Sequence, residues 1–120
     1  MKKINITITG CMGRMGQQLI KASKKNKRFK INSLTENKLI TKKIAGIKPQ
    51  LNTLDAFKNT DVIIDFTVPK CTIEVIKIAS IMNKRIVIGT TGFTKKEENV
   101  INSHAKKIAI LKAGNMSLGV

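Results

Sequence analysis

The chain has 120 residues and a mass of 13.3 kDa, a size that suits a single domain around one hydrophobic core. Hydrophobic residues make up 42% of it and form only short runs, which disfavours both a disordered chain and a membrane bundle. The N-terminal lysines lead into an alternating pattern and not into an apolar block, so we expect a cytoplasmic protein without a secretory signal. The two cysteines, Cys11 and Cys71, lack a second Cys or His at metal-ligand spacing, so we expect no metal site.

The net charge of +16 raises the question of a polyanionic partner. Twenty of the 23 basic residues are lysines spread along the chain, and there is no Trp or Tyr to stack on bases. We therefore expect no specific nucleic-acid binding. A basic surface would nevertheless attract phosphorylated small molecules.

The first third of the chain predicts a strand, a helix and a second strand. Isoleucines alternate with polar residues over positions 4–8, and the pattern ends at Gly10. Apolar residues then recur at helical spacing, which predicts a helix as far as Lys27. Alternation returns over residues 29–35, so this third of the chain is a βαβ unit.

The middle of the chain predicts a loop followed by another strand and helix. Residues 36–53 are polar and indicate a loop with at most a short edge strand, and residues 54–57 suit one or two helical turns. The continuous apolar centre of residues 61–66 is typical of a strand buried on both faces. Pro69 suits the first turn of a helix that extends to Asn83.

The last third continues the alternation of strands and helices. Residues 85–88 and 108–111 predict strands. Between them, Thr94 and Glu97 have the spacing of a capping box, which predicts a helix of about a dozen residues. The order of elements indicates an α/β fold with a doubly wound parallel sheet, in which residues 1–120 form one domain and ligands bind at the carboxyl ends of the strands.

A glycine-rich turn between the first strand and the first helix is the strongest local signal. It consists of Gly10, Cys11, Met12, Gly13, Arg14, Met15 and Gly16. Glycines in such a turn allow close approach of a pyrophosphate, which the N–H groups at the start of the helix then bind. The first two glycines are one residue further apart than in the usual dinucleotide fingerprint, so an ordinary tight turn is the alternative.

Glu36 strengthens the dinucleotide interpretation. It follows the second predicted strand, where an acidic side chain can accept hydrogen bonds from the ribose hydroxyls of an adenosine. A carboxylate here favours NADH over NADPH because it repels a 2′-phosphate, whereas Lys38 would attract that phosphate. A solvated loop residue is the alternative for Glu36.

Two further loops follow predicted strands at the same edge of the sheet. The first contains Gly89, Thr90 and Thr91, and the second contains Ala113, Gly114, Asn115 and Met116. Either loop could instead be a capping turn without a ligand. Their position beside the glycine-rich turn favours a shared ligand site.

The remaining chemically capable side chains are not expected to be catalytic. His104 lies on a polar predicted helix without a carboxylate or nucleophile beside it, and is interpreted as a surface residue. Cys11 and Cys71 are interpreted as small apolar side chains. Asp65 ends a buried strand, but a single carboxylate does not make an acid–base pair.

Four motifs in order resemble the family of 4-hydroxy-tetrahydrodipicolinate reductases, also called dihydrodipicolinate reductases. The motifs are the glycine-rich turn, Asp65-Phe66-Thr67 with Pro69, Val87-Ile88-Gly89-Thr90-Thr91-Gly92-Phe93, and Asn115-Met116-Ser117-Leu118-Gly119-Val120. The resemblance extends over essentially the whole chain but only over the family's amino-terminal half. It implies a Rossmann-type domain that binds NADH or NADPH for a reduction in diaminopimelate and lysine biosynthesis.

The resemblance also assigns residues to parts of the cofactor. It implies that residues 10–15 bind the pyrophosphate, that Glu36 binds the adenosine ribose and that residues 89–91 lie beside the nicotinamide ribose. Residues 113–116 are similar to the last cofactor-contacting segment. Where some family members have a basic residue after the ribose-binding acid, this chain has Asn37, which leaves the choice of cofactor open.

The family's second domain, with its catalytic residues, substrate site and tetramer contacts, has no counterpart in these 120 residues. We therefore expect a fragment or an incomplete gene product that is inactive alone, whereas the full-length family implies a homotetramer acting on a small-molecule substrate. One alternative is the nucleotide domain of another dehydrogenase of amino-acid metabolism. Another is a separate module that senses nucleotides or binds polyanions.

Overall fold

A computed structural model describes residues 2–113 of the protein. Five parallel strands form one sheet in the order β2-β1-β3-β4-β5. The strands are β1 (Ile4–Thr9), β2 (Phe29–Thr35), β3 (Val62–Asp65), β4 (Arg85–Ile88) and β5 (Ile110–Lys112). The helices are α1 (Arg14–Lys25), α2 (Pro69–Met82) and α3 (Lys95–His104), and a short 3-10 helix covers Asp55–Phe57. The predicted doubly wound α/β fold is confirmed.

The direction of winding changes at β1. The chain first moves from β1 to β2 and then crosses back to place β3 on the other side of β1, from where β4 and β5 continue outward. The loops that leave β1 and β3 therefore diverge to opposite faces of the sheet. In open α/β sheets this divergence creates the crevice in which ligands bind.

Each face of the sheet has its own hydrophobic core, in place of the one core expected from the chain length. On one face, Ile20 of α1 packs with Ile6, Ile8 and Leu34 of the first two strands. On the other face, α2 and α3 cover β3 and β4, and the buried side chains there include Phe57, Ile63, Val75, Ile76, Ile86 and Ile101. Neighbouring residues of β3 contribute to the two different cores, as the prediction of a strand buried on both faces requires.

One boundary in each of two elements differs from the sequence expectation by two residues. Helix α1 ends two residues before Lys27 because the Asn26 side chain accepts a hydrogen bond from the Arg28 N–H at 2.9 Å, a turn that competes with the helix. The last strand starts at Ile110 and not at Ile108. Ile108 is buried, but its N–H donates to His104 O at 3.1 Å in a turn that follows α3.

The interpretation of His104 as a surface residue is wrong. The imidazole is partly buried, and its Nδ1 lies 2.6 Å from the hydroxyl oxygen of Ser80 on α2. The sequence pattern failed here because His104 is the last residue of α3, where the helix contacts α2. The pair ties the two helices together and lies on them, away from the loops at the carboxyl ends of the strands.

The capping box at the start of α3 is confirmed. Thr94 Oγ1 accepts a hydrogen bond from the Glu97 N–H at 3.1 Å, and Glu97 Oε1 accepts one from the Thr94 N–H at 2.8 Å. Within residues 2–113, no helix is long and apolar enough to cross a membrane. The same residues contain no cluster of three His, Cys, Asp or Glu side chains that could hold a metal ion.

Candidate functional site: a crevice at the carboxyl ends of β1 and β3

The glycine-rich turn, called here the glycine loop (residues 10–16), folds against the start of α1. Gly10 has a φ of +63°, a left-handed conformation that favours glycine. A Cβ on Gly16 would lie 2.2 Å from Gly10 O and 2.8 Å from the Cα of Cys11. Only glycine therefore allows α1 to start this close to the end of β1.

Gly13 differs from Gly16 in its packing. It is exposed, and a Cβ there would approach only Gly10 O, at 3.3 Å. Packing alone would therefore accept a larger residue with a small adjustment. Its side of the loop faces the crevice, so the absence of a side chain leaves the backbone open to a ligand.

The start of α1 has the properties of an anion site. The Gln17 N–H makes the first helical hydrogen bond, to Gly13 O at 3.0 Å, so the amides of the preceding turn have no partner inside the helix. No acidic residue occupies this first turn, and Arg14 begins it. Free N–H groups, the positive end of the helix dipole and a guanidinium together suit a pyrophosphate.

Glu36 is held beside the glycine loop. One carboxylate oxygen, Oε2, accepts a hydrogen bond from the Met12 N–H at 2.9 Å, and the other accepts one from the Asn37 N–H at 3.1 Å. The Glu36 N–H donates to Gln50 O at 2.9 Å, which fixes the backbone at the end of β2. The carboxylate thus has a set position, and each oxygen keeps a lone pair for a ribose hydroxyl.

A cleft of about 270 Å³ lies where the loops after β1 and β3 diverge. It brings together Gly10, Gly13 and Glu36 from the predicted site. It also contains residues that the sequence reasoning did not assign to the ligand: Asn37, Asn52, Phe66, Thr67, Val68 and Cys71. Asn52 is notable because its buried Oδ1 has no hydrogen-bond partner among the described residues. The divergence of the two loops thus forms a concave site at the predicted edge of the sheet.

The loop after β4 lies at the same edge but does not line this cleft. Gly89 packs beneath the Phe66 ring so closely that a Cβ would lie 2.0 Å from the ring. The Thr90 side chain is buried, and its hydroxyl accepts hydrogen bonds from the Thr67 N–H and the Thr72 hydroxyl. Thr91 is exposed. The side chain free to reach a ligand in this loop is therefore that of Thr91.

The other predicted site residues differ in their access to the crevice. Ala113 joins the edge of the sheet because its N–H donates to Ile88 O at 2.7 Å. Cys11 is fully buried, so it can offer a ligand only its backbone, whereas Met15 is partly buried. The last three predicted contacts, Gly114, Asn115 and Met116, lie outside the described residues.

Neither thiol is activated. Burial, together with the nearby negative charge of Glu36, raises the pKa of the Cys11 thiol to about 11. Burial also raises the pKa of Cys71, with smaller contributions from the carboxylates of Glu74, Asp65 and Glu36. Both side chains therefore stay protonated at neutral pH, as expected for apolar filling and not for a nucleophile.

The winding of the sheet, the glycine loop at a helix N-terminus and the carboxylate after β2 together define a dinucleotide-binding domain of the Rossmann type. The family model described as dihydrodipicolinate reductase, N-terminus, matches residues 4–116. The chain belongs to this family, whose amino-terminal domain is a pyridine-nucleotide-binding domain. The resemblance drawn from the four sequence motifs is therefore confirmed.

Similar proteins agree on the family. The 4-hydroxy-tetrahydrodipicolinate reductase of Pelagibacter ubique is 68% identical over 120 residues, which cover 100% of this chain and 46% of that protein. The enzyme of the same name from Buchnera aphidicola of Schizaphis graminum is 44% identical, over 99% of this chain and 48% of that protein. The structure of a dipicolinate-bound dihydrodipicolinate reductase from Paenisporosarcina superposes with a TM-score of 0.79 at 25% identity, over 98% of this chain and 49% of that one. The chain thus spans about half the length of the relatives that it matches.

Proposed function

We propose that this chain is the domain that binds NADH or NADPH in a 4-hydroxy-tetrahydrodipicolinate reductase, with residues 1–120 as one cofactor-binding unit. The observation that carries the proposal is the junction of β1 and α1, where Gly13 and the fixed Glu36 carboxylate line one cleft beside the free amides at the start of α1. These groups match the pyrophosphate and the adenosine ribose of a dinucleotide in both charge and order along the crevice.

The residues of this chain would bind and orient the cofactor. The amides of Arg14 and Met15 donate to the pyrophosphate, and the Arg14 guanidinium offsets its charge. Glu36 accepts from the adenosine ribose hydroxyls, and residues 89–91 support the nicotinamide ribose. Residues 113–116 are proposed as further cofactor contacts on the family resemblance alone. When bound, the nicotinamide supplies a hydride, while the protein contributes position and electrostatics. No residue of this chain is proposed as a catalytic group.

The choice between NADH and NADPH depends on two opposite charges. Because the Glu36 carboxylate is held by two backbone amides, it cannot turn away from a 2′-phosphate without losing both hydrogen bonds. Lys38 is exposed two residues later and offers a compensating positive charge. We therefore propose that the chain accepts both cofactors and prefers NADH.

The reaction of the complete protein belongs to this proposal as well. We propose that it reduces a cyclic imine or enamine dicarboxylate in diaminopimelate and lysine biosynthesis, in the cytoplasm and as a homotetramer. The names of the relatives and the family match of residues 4–116 support this assignment. The substrate site and the acid–base residues would belong to the part of the relatives that this chain does not match.

Calorimetric titration of the 120-residue chain with NADH and then NADPH, at about 0.2 M salt to suppress nonspecific attraction, tests the proposal. We expect saturable one-site binding with a lower Kd for NADH. A chain that is folded by circular dichroism and binds neither cofactor would contradict the proposed function. Repeating the titration over a salt series distinguishes specific cofactor binding from nonspecific attraction to the basic surface of a polyanion-binding module. Nonspecific attraction weakens steeply with salt, whereas specific binding weakens less.

A further inference from the structure

A buried polar cluster lies behind the crevice and involves a carboxylate that the sequence reasoning left without a role. Asp65 is 0% exposed, and its Oδ1 accepts hydrogen bonds from the hydroxyls of Thr9 at 2.6 Å and Thr67 at 2.7 Å. Its other oxygen, Oδ2, has no hydrogen-bond partner among the described residues. A buried carboxylate oxygen without a partner costs free energy, so its retention calls for an explanation.

The cluster continues from β3 to the loop after β4. Thr72, on α2 and 0% exposed, has its hydroxyl 3.2 Å from that of Thr67 and donates to Thr90 Oγ1 at 2.8 Å. The Thr67 N–H donates to the same Thr90 oxygen at 2.9 Å. The Gly89 N–H donates to Asp65 O at 2.8 Å. We call these five side chains the Asp–Thr cluster: Thr9, Asp65, Thr67, Thr72 and Thr90.

The cluster connects the loops that follow β1, β3 and β4. Thr9 precedes Gly10, and Thr67 is the residue against which Gly10 packs, since a Cβ on Gly10 would lie 2.7 Å from the Thr67 methyl carbon. At the other end, both acceptor positions of the Thr90 hydroxyl are used inside the protein. Thr90 therefore holds its loop in place instead of offering its lone pairs to a ligand.

We propose that the Asp–Thr cluster sets the position of the loop at residues 89–91 relative to the glycine loop, so that Asp65 and Thr72 are positioning residues for the nicotinamide half of the cofactor. This inference rests on the proposed function, because it takes residues 89–91 as the nicotinamide side of the site. Asp65 and Thr72 are fully buried and act only through the loops. Their loss should therefore disturb one half of the ligand more than the other.

The test compares two ligands that share one half. NADH reaches both loops, whereas ADP carries only the adenosine and the pyrophosphate. The variant is Thr72→Val, which keeps the size of the side chain and removes its hydrogen bonds. We expect the Kd for NADH to rise about 5- to 10-fold, the range expected for loss of the buried hydrogen bond to Thr90. The Kd for ADP should change less than about 2-fold. Thr72→Ser, which restores the hydroxyl, should return the ratio of the two Kd values to that of the wild type.

Thr7→Val is the matched control. Thr7 is also 0% exposed, and its hydroxyl lies 2.7 Å from that of Ser33 and 2.6 Å from that of Thr60, a residue that precedes β3 at the opposite edge of the sheet. Loss of the Thr7 hydroxyl should lower the free energy of unfolding about as much as loss of the Thr72 hydroxyl. It should leave the ratio of the NADH and ADP Kd values unchanged. If Thr72→Val does not fold, Thr9→Val removes a different bond of the cluster and should shift the ratio in the same direction.

The outcomes separate the inference from the function on which it rests. A wild-type chain that is folded and binds no NADH overturns both. A wild-type chain that binds NADH, together with a Thr72→Val ratio equal to that of Thr7→Val, overturns the positioning role alone. A rise in the NADH Kd that is confined to the cluster variants supports it.

Discussion

Replacing Gly13 and Gly16 in turn separates binding from folding within one loop. The Cβ of a valine at position 13 would approach only Gly10 O, at 3.3 Å. We expect the free energy of unfolding to fall by about 1 kcal/mol, mainly because valine is a poor N-cap for α1. The isopropyl group would cover the free amides of α1. Losing two charge-assisted hydrogen bonds of about 1.5–3 kcal/mol each should weaken NADH binding by at least about 100-fold.

Gly16→Ala should mainly lower the stability of the fold and not the affinity for NADH. Its Cβ would lie 2.2 Å from Gly10 O and 2.8 Å from the Cα of Cys11, and both atoms belong to the backbone and cannot rotate away. Overpacking of this kind costs about 3 kcal/mol. Urea unfolding gives the stability of each variant, and calorimetry at a temperature where all are folded gives the Kd. Ala22→Val, on the exposed part of α1, is the control.

Either of two results would contradict the separate roles of Gly13 and Gly16. One is a folded Gly13→Val chain that binds NADH within about 2-fold of the wild type, since the free amides would then not be the binding groups. The other is a Gly16→Ala chain as stable as the wild type, since the contact between the loop and α1 would then not require glycine.

Three more predictions concern single side chains. Glu36→Gln keeps an acceptor for the Met12 N–H but removes the negative charge, so titration should show NADPH affinity rising about 5-fold relative to NADH, and an unchanged ratio would exclude charge as the cause of the preference. Thr94→Ala removes a capping bond and should lower the free energy of unfolding by about 1 kcal/mol in urea without changing the NADH Kd; a loss below about 0.3 kcal/mol would contradict the cap. The raised pKa of Cys11, about 11 against an ordinary 9.0, means that unfolding releases a proton between these values, so its contribution to stability falls as pH rises through that window. The stability difference between the wild type and Cys11→Ala should shrink by about 1–2 kcal/mol from pH 8.5 to pH 11, and a difference that stays constant would contradict the shift.

The strands and helices were predictable from the sequence where a pattern of neighbouring residues alone determines the element. The alternation in β1 and the capping box of α3 are examples, because each depends on residues only a few positions apart. The predicted start of β5 was wrong because Ile108 is buried in a turn, and an apolar pattern does not distinguish a buried turn from a strand. The interpretation of His104 as a surface residue was wrong because its partner, Ser80, lies on another helix.

The candidate site was predictable in its local parts and not in its long-range parts. The glycine loop and Glu36 carry their signals in residue type and spacing. In contrast, the positions of Asn52 and of the Asp–Thr cluster depend on contacts between loops that the parallel sheet brings together. No periodicity in the sequence encodes these contacts. The sequence carried a signal for Thr67, since it follows a strand at the ligand edge, but its contact with Gly10 is visible only in the structure.

Mapping the NADH site by nuclear magnetic resonance shows which residues of the chain contact the cofactor. On titration of the isotope-labelled 120-residue chain, we expect saturable shifts of the backbone amides of residues 12–15, 36–37 and 89–91, which lie at the carboxyl edge of the sheet. The amides of Thr60 and Lys84, at the opposite edge of the sheet, should not move. Shifts spread over the lysine-rich surface, or centred on that opposite edge, would contradict a dinucleotide site at the carboxyl ends of β1 and β3.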